Sequence, residues 1–150
     1  MLREAFRTLG IAPEDEARIL AIGWATVELD RAIREFAASE ECTDGFVDAP
    51  PSVLLGASCR ISQGSDGPRL VLLEPSTEGR LAATLARHGE GWVAVWLLGP
   101  QGDIDGGQGS DGPTLSADRP GPLGTERLVL SSPPAGPHRL LVRPATIGMP

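Results

Sequence analysis

Between Ala17 and Glu41 the hydrophobic period changes once, at Leu29, and that change limits the folds open to the chain. Before it, "ARILAIGWATVE" is apolar and nearly continuous, with Gly23 inside it, which suits a buried strand of about eight residues. After it, "LDRAIREFAASEE" places Leu29, Ala32, Ile33 and Phe36 on one helical face and turns Arg31, Arg34, Glu35 and Glu40 away. A buried strand passing directly into an amphipathic helix predicts an α+β chain with helices laid on a sheet.

The remaining segments extend this alternation. "LREAFRTL" groups Leu2, Ala5, Phe6 and Leu9 as an N-terminal helix. "FVDAPPSVLLGASCRIS" is punctuated by Pro50 and Pro51 and ends in a predicted strand over Ala57–Ser62. "RLVLLEP" is a strand stopped by Pro75, and Ser76 or Thr77 is expected to cap the helix in "TEGRLAATLARHG", which Gly89 terminates. "WVAVWLL" follows as a strand. Residues 99–122 hold seven Gly and four Pro, so a flexible loop is expected there, with a C-terminal hairpin of "TERLVLSS" and "HRLLVRP" in residues 123–150. "RLVLLEPSTEG", "RLVLSSPPAG" and "RLLVRPATIG" echo one another as strand-and-turn units.

Composition narrows the partners. A chain of 150 residues is expected to form a single domain, and its longest apolar runs are too short to cross a bilayer. The N-terminus lacks the basic start and apolar centre of a secretion signal, so a cytoplasmic location is expected. The net charge is −7 and the 13 basic residues are scattered, which argues against nucleic acid as a partner. Cys42 and Cys59 are too few and too isolated for a disulfide framework or a zinc site. Lys, Asn and Tyr are absent, as in a chain encoded by a GC-rich bacterial genome.

Three stretches, "AIGWATVELDRAIREFAA", "LLGASCRIS" and "LVLLEPSTEGRLAATLARHGEGWVAVWL", together resemble the vicinal oxygen chelate superfamily, which includes glyoxalases, methylmalonyl-CoA epimerases, extradiol dioxygenases and bleomycin-resistance proteins. The resemblance covers residues 18–98. It implies paired βαβββ modules whose curved sheet cups a metal, the second module being degenerate here. It also implies histidine ligands where this chain has Ala21 and Ala94, a carboxylate or amide ligand at Glu74, and a final glutamate on the last strand, which "VRPATIGMP" lacks. One ligand of four is present, while a catalytic divalent ion needs about three protein groups, so neither a metal nor another cofactor is expected. His88 and His138 are not spaced as a chelating pair.

If Ala21 and Glu74 face the cup, strand alternation sends Gly23, Ala25, Leu70 and Leu72 inward with them, and Trp92, Ala94 and Trp96 from the opposite strand. The expected function is metal-independent binding of a cyclic or aromatic organic molecule. A cofactor-free isomerase, cyclase or lyase using Glu74 as acid or base is the alternative. A homodimer is expected from the strand edges that a degenerate second module leaves open.

Overall fold

The computed structural model describes residues 2–38, 45–63, 67–99, 114–130 and 137–143. Strand β1 (Ile19–Ala25) is the apolar run before Leu29, and it is buried because both of its edges are paired. It lies parallel to β4 (Arg69–Pro75) on one side and antiparallel to β5 (Gly91–Leu98) on the other. Outward from β4 come β3 (Ala57–Ser62) and β2 (Phe46–Ser52). Outward from β5 come β9 (His138–Val142), then β8 (Gly124–Leu130), which carries both β6 (Thr114–Leu115) and β7 (Arg119–Gly121).

The sheet order β2-β3-β4-β1-β5-β9-β8-β6 contains the same device twice. In each half the last strand returns to lie parallel to the first, β4 beside β1 and β9 beside β5. The echoing segments "RLVLL" and "RLLV" are therefore β4 and β9, equivalent by position. The third copy, "RLVL" in β8, is antiparallel to its neighbour and has no such place. Residues 114–122, within the stretch expected as loop, contribute β6 and β7, whereas residues 100–113 lie outside the described residues.

The paired prolines do not interrupt a strand. Both belong to β2, which sits at the sheet edge and pairs with β3 alone, so the missing N–H groups cost no ladder bond on the open side. The pairing register shifts between Ala49 and Ser52, where the prolines lie.

Helices α1 (Leu2–Leu9) and α2 (Leu29–Ala37) cover one face of the sheet. α1 buries Ala5 and Leu9 against Ile22, Val95 and Leu97. α2 lays Leu29 and Ala32 on Leu72, as its apolar stripe predicts. α3 (Arg80–His88) lies over the other, concave face, with Leu81 wholly buried beside Leu55 and the Leu81 N–H bonded to the Leu55 carbonyl at 3.0 Å. Burial of each such leucine contributes about 1.5–3 kcal/mol. Neither Ser76 nor Thr77 caps this helix: Gly79 holds the N-cap position, and the Ser76 N–H is taken by the Gly56 carbonyl at 2.9 Å. Gly89, at φ 79, ends it as expected.

Candidate functional site

Among the described residues, the concave face is apolar with one carboxyl, that of Glu126, on it. β1 contributes Ala21, Gly23 and Ala25, and β5 contributes Ala94 and Trp96, so five of the residues expected in the cup are together there. A Cβ added at Gly23 would stand 2.8 Å from Cζ3 of Trp96, which shows that the indole lies directly on the β1 backbone. Only glycine leaves that space.

Leu70, Leu72, Glu74 and Trp92 are not in the cup. β1 and β4 run parallel with Gly23 opposite Val71 and Ala25 opposite Leu73, so Val71 and Leu73 share the concave face. Leu70 and Leu72 join Ile22 and Trp24 under the helices instead. Glu74 belongs to the same parity, and its Oε2 accepts the Leu29 N–H at 3.4 Å, at the first turn of α2. There it satisfies a free helix donor and meets the positive end of the helix dipole. Trp92 is turned by a bulge. Gly23 is opposite Ala94 but Trp24 is opposite Trp92, leaving Val93 as an extra residue that points into the cup. Trp92 consequently meets Trp24 edge-on at 5.1 Å and 86° on the helix-covered face.

The Gly-Glu-Gly segment before β5 supplies a clasp. One Glu90 oxygen accepts the Val27 N–H and the Thr26 hydroxyl, both at 2.9 Å, and the carboxylate pairs with Arg31 at 2.6 Å. Arg31 and these donors hold the Glu90 pKa down at about 2. The clasp ties the start of β5 to the turn between β1 and α2.

The group missed from sequence is Glu126. It lies on β8, 1% exposed, with Leu128 as its inward neighbour two residues on. Its Oε1 accepts the Trp96 indole N–H at 2.8 Å and its Oε2 the Ser52 hydroxyl at 2.7 Å. Gly121 on β7 leaves room for it, because a Cβ there would overlap the carboxyl. Burial raises the Glu126 pKa, while the two hydrogen bonds partly offset that rise. The alternation in "TERLVL" carried the signal: Glu126 shares the parity of Leu128, an apolar core position.

Two further groups border the cup. Cys59 is buried and free, and desolvation pushes its thiol up to about 12. His138 on β9 joins Thr84 on α3, Nε2 to Oγ1, at 2.9 Å, and desolvation lowers its pKa. Thr84 already donates to the Arg80 carbonyl, so Nε2 carries the proton in this contact. His88 is exposed at the end of α3.

The cup does not fit a divalent metal of the kind the superfamily resemblance implies. Ala21 and Ala94 are wholly buried, with the Trp96 ring packed among them. Both oxygens of Glu126 are engaged by neutral donors. Among the described residues no group of three His, Cys, Asp or Glu side chains comes together.

The rims of the sheet touch. The Val53 N–H, at the end of β2, bonds to the Pro120 carbonyl of β7 at 3.3 Å, directly beside the Ser52–Glu126 contact. No helix among the described residues is long and apolar enough to cross a membrane.

Comparison of sequences finds no matching family model and no matching curated protein. Comparison of structures does find relatives in fold. A variant of methylmalonyl-CoA epimerase from Streptomyces coelicolor, in complex with 2-nitronate-propionyl-CoA, aligns with a TM-score of 0.68 at 21% identity, over 89% of this chain and 98% of that one. The methylmalonyl-CoA epimerase of Mycobacterium tuberculosis aligns at 0.66 and 19% identity, over 90% and 93%. A hypothetical protein of Bacillus halodurans aligns at 0.63 and 14% identity, over 89% and 98%. The chain has the α+β fold of the vicinal oxygen chelate superfamily, with a curled sheet in two halves, in each of which the last strand lies parallel to the first.

Proposed function

We propose that this protein binds a small organic molecule in the cup without a metal, with Trp96 as the apolar wall and Glu126 as the polar anchor. Glu126 carries this reading. A carboxyl 1% exposed, held by two neutral donors and facing no basic group among the described residues, is costly to bury. Such a group on the concave face of a fold whose neighbours bind CoA thioesters is a functional-site candidate. The test is titration of the full-length, 15N-labelled chain with a panel of amines, carboxylic acids, phenols and acyl-CoA thioesters. A saturable shift of the Trp96 indole N–H signal is expected, with the Trp24 and Trp92 signals as internal controls. A panel without any such shift overturns the reading.

Metal-independent isomerase, cyclase or lyase chemistry is a second reading, favoured by the raised pKa of Glu126 and by the fold shared with epimerases. Glu126 takes the proton-transfer role here, since Glu74 caps α2. Binding is the better supported of the two. Inverting a centre by proton transfer calls for proton donors and acceptors on both faces of the substrate, and the other titratable groups placed beside the cup are the Cys59 thiol, pushed up to about 12, and His138, whose Nε2 is engaged with Thr84. Incubation with methylmalonyl-CoA in D2O separates the readings: a binder leaves α-proton exchange at the protein-free rate, and an isomerase accelerates it in a way lost in Glu126→Gln.

A further inference from the structure

The two halves of the sheet diverge on their outer face. β4 and β9 hold matching places, since Ala21 of β1 is opposite Arg69 and Ala94 of β5 is opposite His138. Counting along the strands from those pairs sets Arg139 where β4 has Leu70, Leu141 where it has Leu72, and Arg143 where it has Glu74. In the first half these positions support α2, with Leu29 and Ala32 on Leu72 and the Leu29 N–H on Glu74. In the second half arginine stands at two of the three.

Arg127 joins them, because on β8 it is directly opposite Leu141. Strand alternation puts Arg127, Arg139 and Arg143 on the face away from Leu128, Leu140 and Val142, which are buried in the cup. Asp118 takes Arg127 Nε at 2.6 Å on one oxygen and Arg143 Nη2 at 3.0 Å on the other, and Arg139 Nη2 reaches the Gly10 carbonyl at 3.4 Å. Three guanidiniums thus share one carboxylate. On the first helix-covered face the ratio is reversed, and Arg31 alone faces Glu28, Glu35 and Glu90. In a chain with 20 acidic and 13 basic residues, a face with two excess positive charges runs against the composition. Among the described residues, both terminal amino groups of Arg127 and the Nε and Nη1 of Arg143 have no partner. These two side chains are 42% and 59% exposed, so their free donors are open to solvent.

We propose that this outer face binds the phosphate monoester group of a small molecule, with Arg127 and Arg143 as a fork and Arg139 at its side. A guanidinium presents paired N–H donors that match phosphate oxygens, and a dianion offsets the two excess charges. A single phosphate meets only this local field, because salt at about 0.15 M screens charges beyond about 8 Å. A nucleic acid, extending past the patch, also meets the surface of a chain whose net charge is −7. The site lies on the opposite side of the sheet from the cup and does not depend on it.

Inorganic phosphate and phenyl phosphate are the probes, titrated into the full 15N-labelled chain at constant ionic strength. Saturable movement of the Arg127 and Arg143 Nε–H signals is expected, while the Trp96 indole signal stays in place. Arg139→Gln and Arg143→Gln should each weaken binding about 1.5- to fivefold, the range of one exposed ion pair. Arg87→Gln removes the same charge at the exposed end of α3 and should leave the affinity unchanged. Signals that move without saturating, or equal weakening in all three variants, reduce the effect to net charge and overturn the inference. A short DNA duplex that moves the same signals at lower concentration than phenyl phosphate overturns the small-molecule assignment. Movement of the Trp96 signal alone puts the anion in the cup, which overturns this outer site and leaves the binding function above standing.

Discussion

Glu126 and Glu90 are two carboxylates of one chain driven in opposite directions by their surroundings. Glu126 is desolvated, so its folded pKa stands above the unfolded value and the folded chain retains a proton that the unfolded chain releases. Its contribution is fully present below the unfolded pKa and is lost as pH rises through the raised folded pKa. Glu90 is held at about 2 by Arg31, Val27 and Thr26, so its contribution is present above the unfolded pKa and is lost as pH falls through about 2. Glu126→Gln keeps the shape, exchanges one accepting oxygen for an NH2 donor that the Ser52 hydroxyl can accept, and removes the titration. Thermal unfolding of this variant should show a gain of about 1–3 kcal/mol at pH 8, the scale of an imperfectly compensated buried polar group. That gain should vanish near pH 4. An equal gain at both pH values would show that Glu126 is not desolvated in the folded protein.

At the level of elements, the Glu90 clasp explains why a Gly-Glu-Gly stretch precedes a strand without a metal ligand. It binds the β1–α2 turn to β5 through a side chain 27% exposed, so solvent screening limits its worth. Glu90→Ala should cost about 1 kcal/mol, seen as a melting point lower by about 2–4 °C in a domain of this size. An unchanged melting point would remove the clasp from the account of stability. The alternation of periods that identifies β1, α2, β4, α3 and β5 was legible because each carries enough apolar residues to declare its period. β2 was not, since two prolines hide an edge strand whose pairing is decided by β3. The faces of β4 and β5 were not either. Strand alternation fixes which residues share a face within a strand, but the choice of face for β4 depends on its register against β1, and the bulge at Val93 reverses the parity within β5. Both are long-range facts that a linear pattern does not contain. Hence Ala21, Gly23, Ala25, Ala94 and Trp96 were placed together in the cup from sequence, while Leu70, Leu72, Glu74 and Trp92 were assigned to the wrong side.

Over the whole molecule, Trp96 and Leu55 are packed wholly buried on the inner side of the curled sheet, and its rims meet at Val53 and Pro120. A cup packed in this way resists conversion to a metal centre even if the imidazoles are supplied. Ala21 and Ala94 are both 0% exposed, and Ala21 is paired directly with Trp96 across the β1–β5 ladder. Adding an imidazole at either site demands space that the indole already occupies, and overpacking of this kind costs about 1–3 kcal/mol per substitution. The double variant Ala21→His with Ala94→His should therefore melt below the parent, and Co2+ or Zn2+ at millimolar concentration should not restore it. Combining the pair with Trp96→Ala removes the obstructing ring, and partial restoration by the metal is expected only in that triple variant. Stabilisation of the double variant by Co2+, with the visible absorption of tetrahedral cobalt, would show that the indole does not fill the metal position and that the cup is more open than its packing implies.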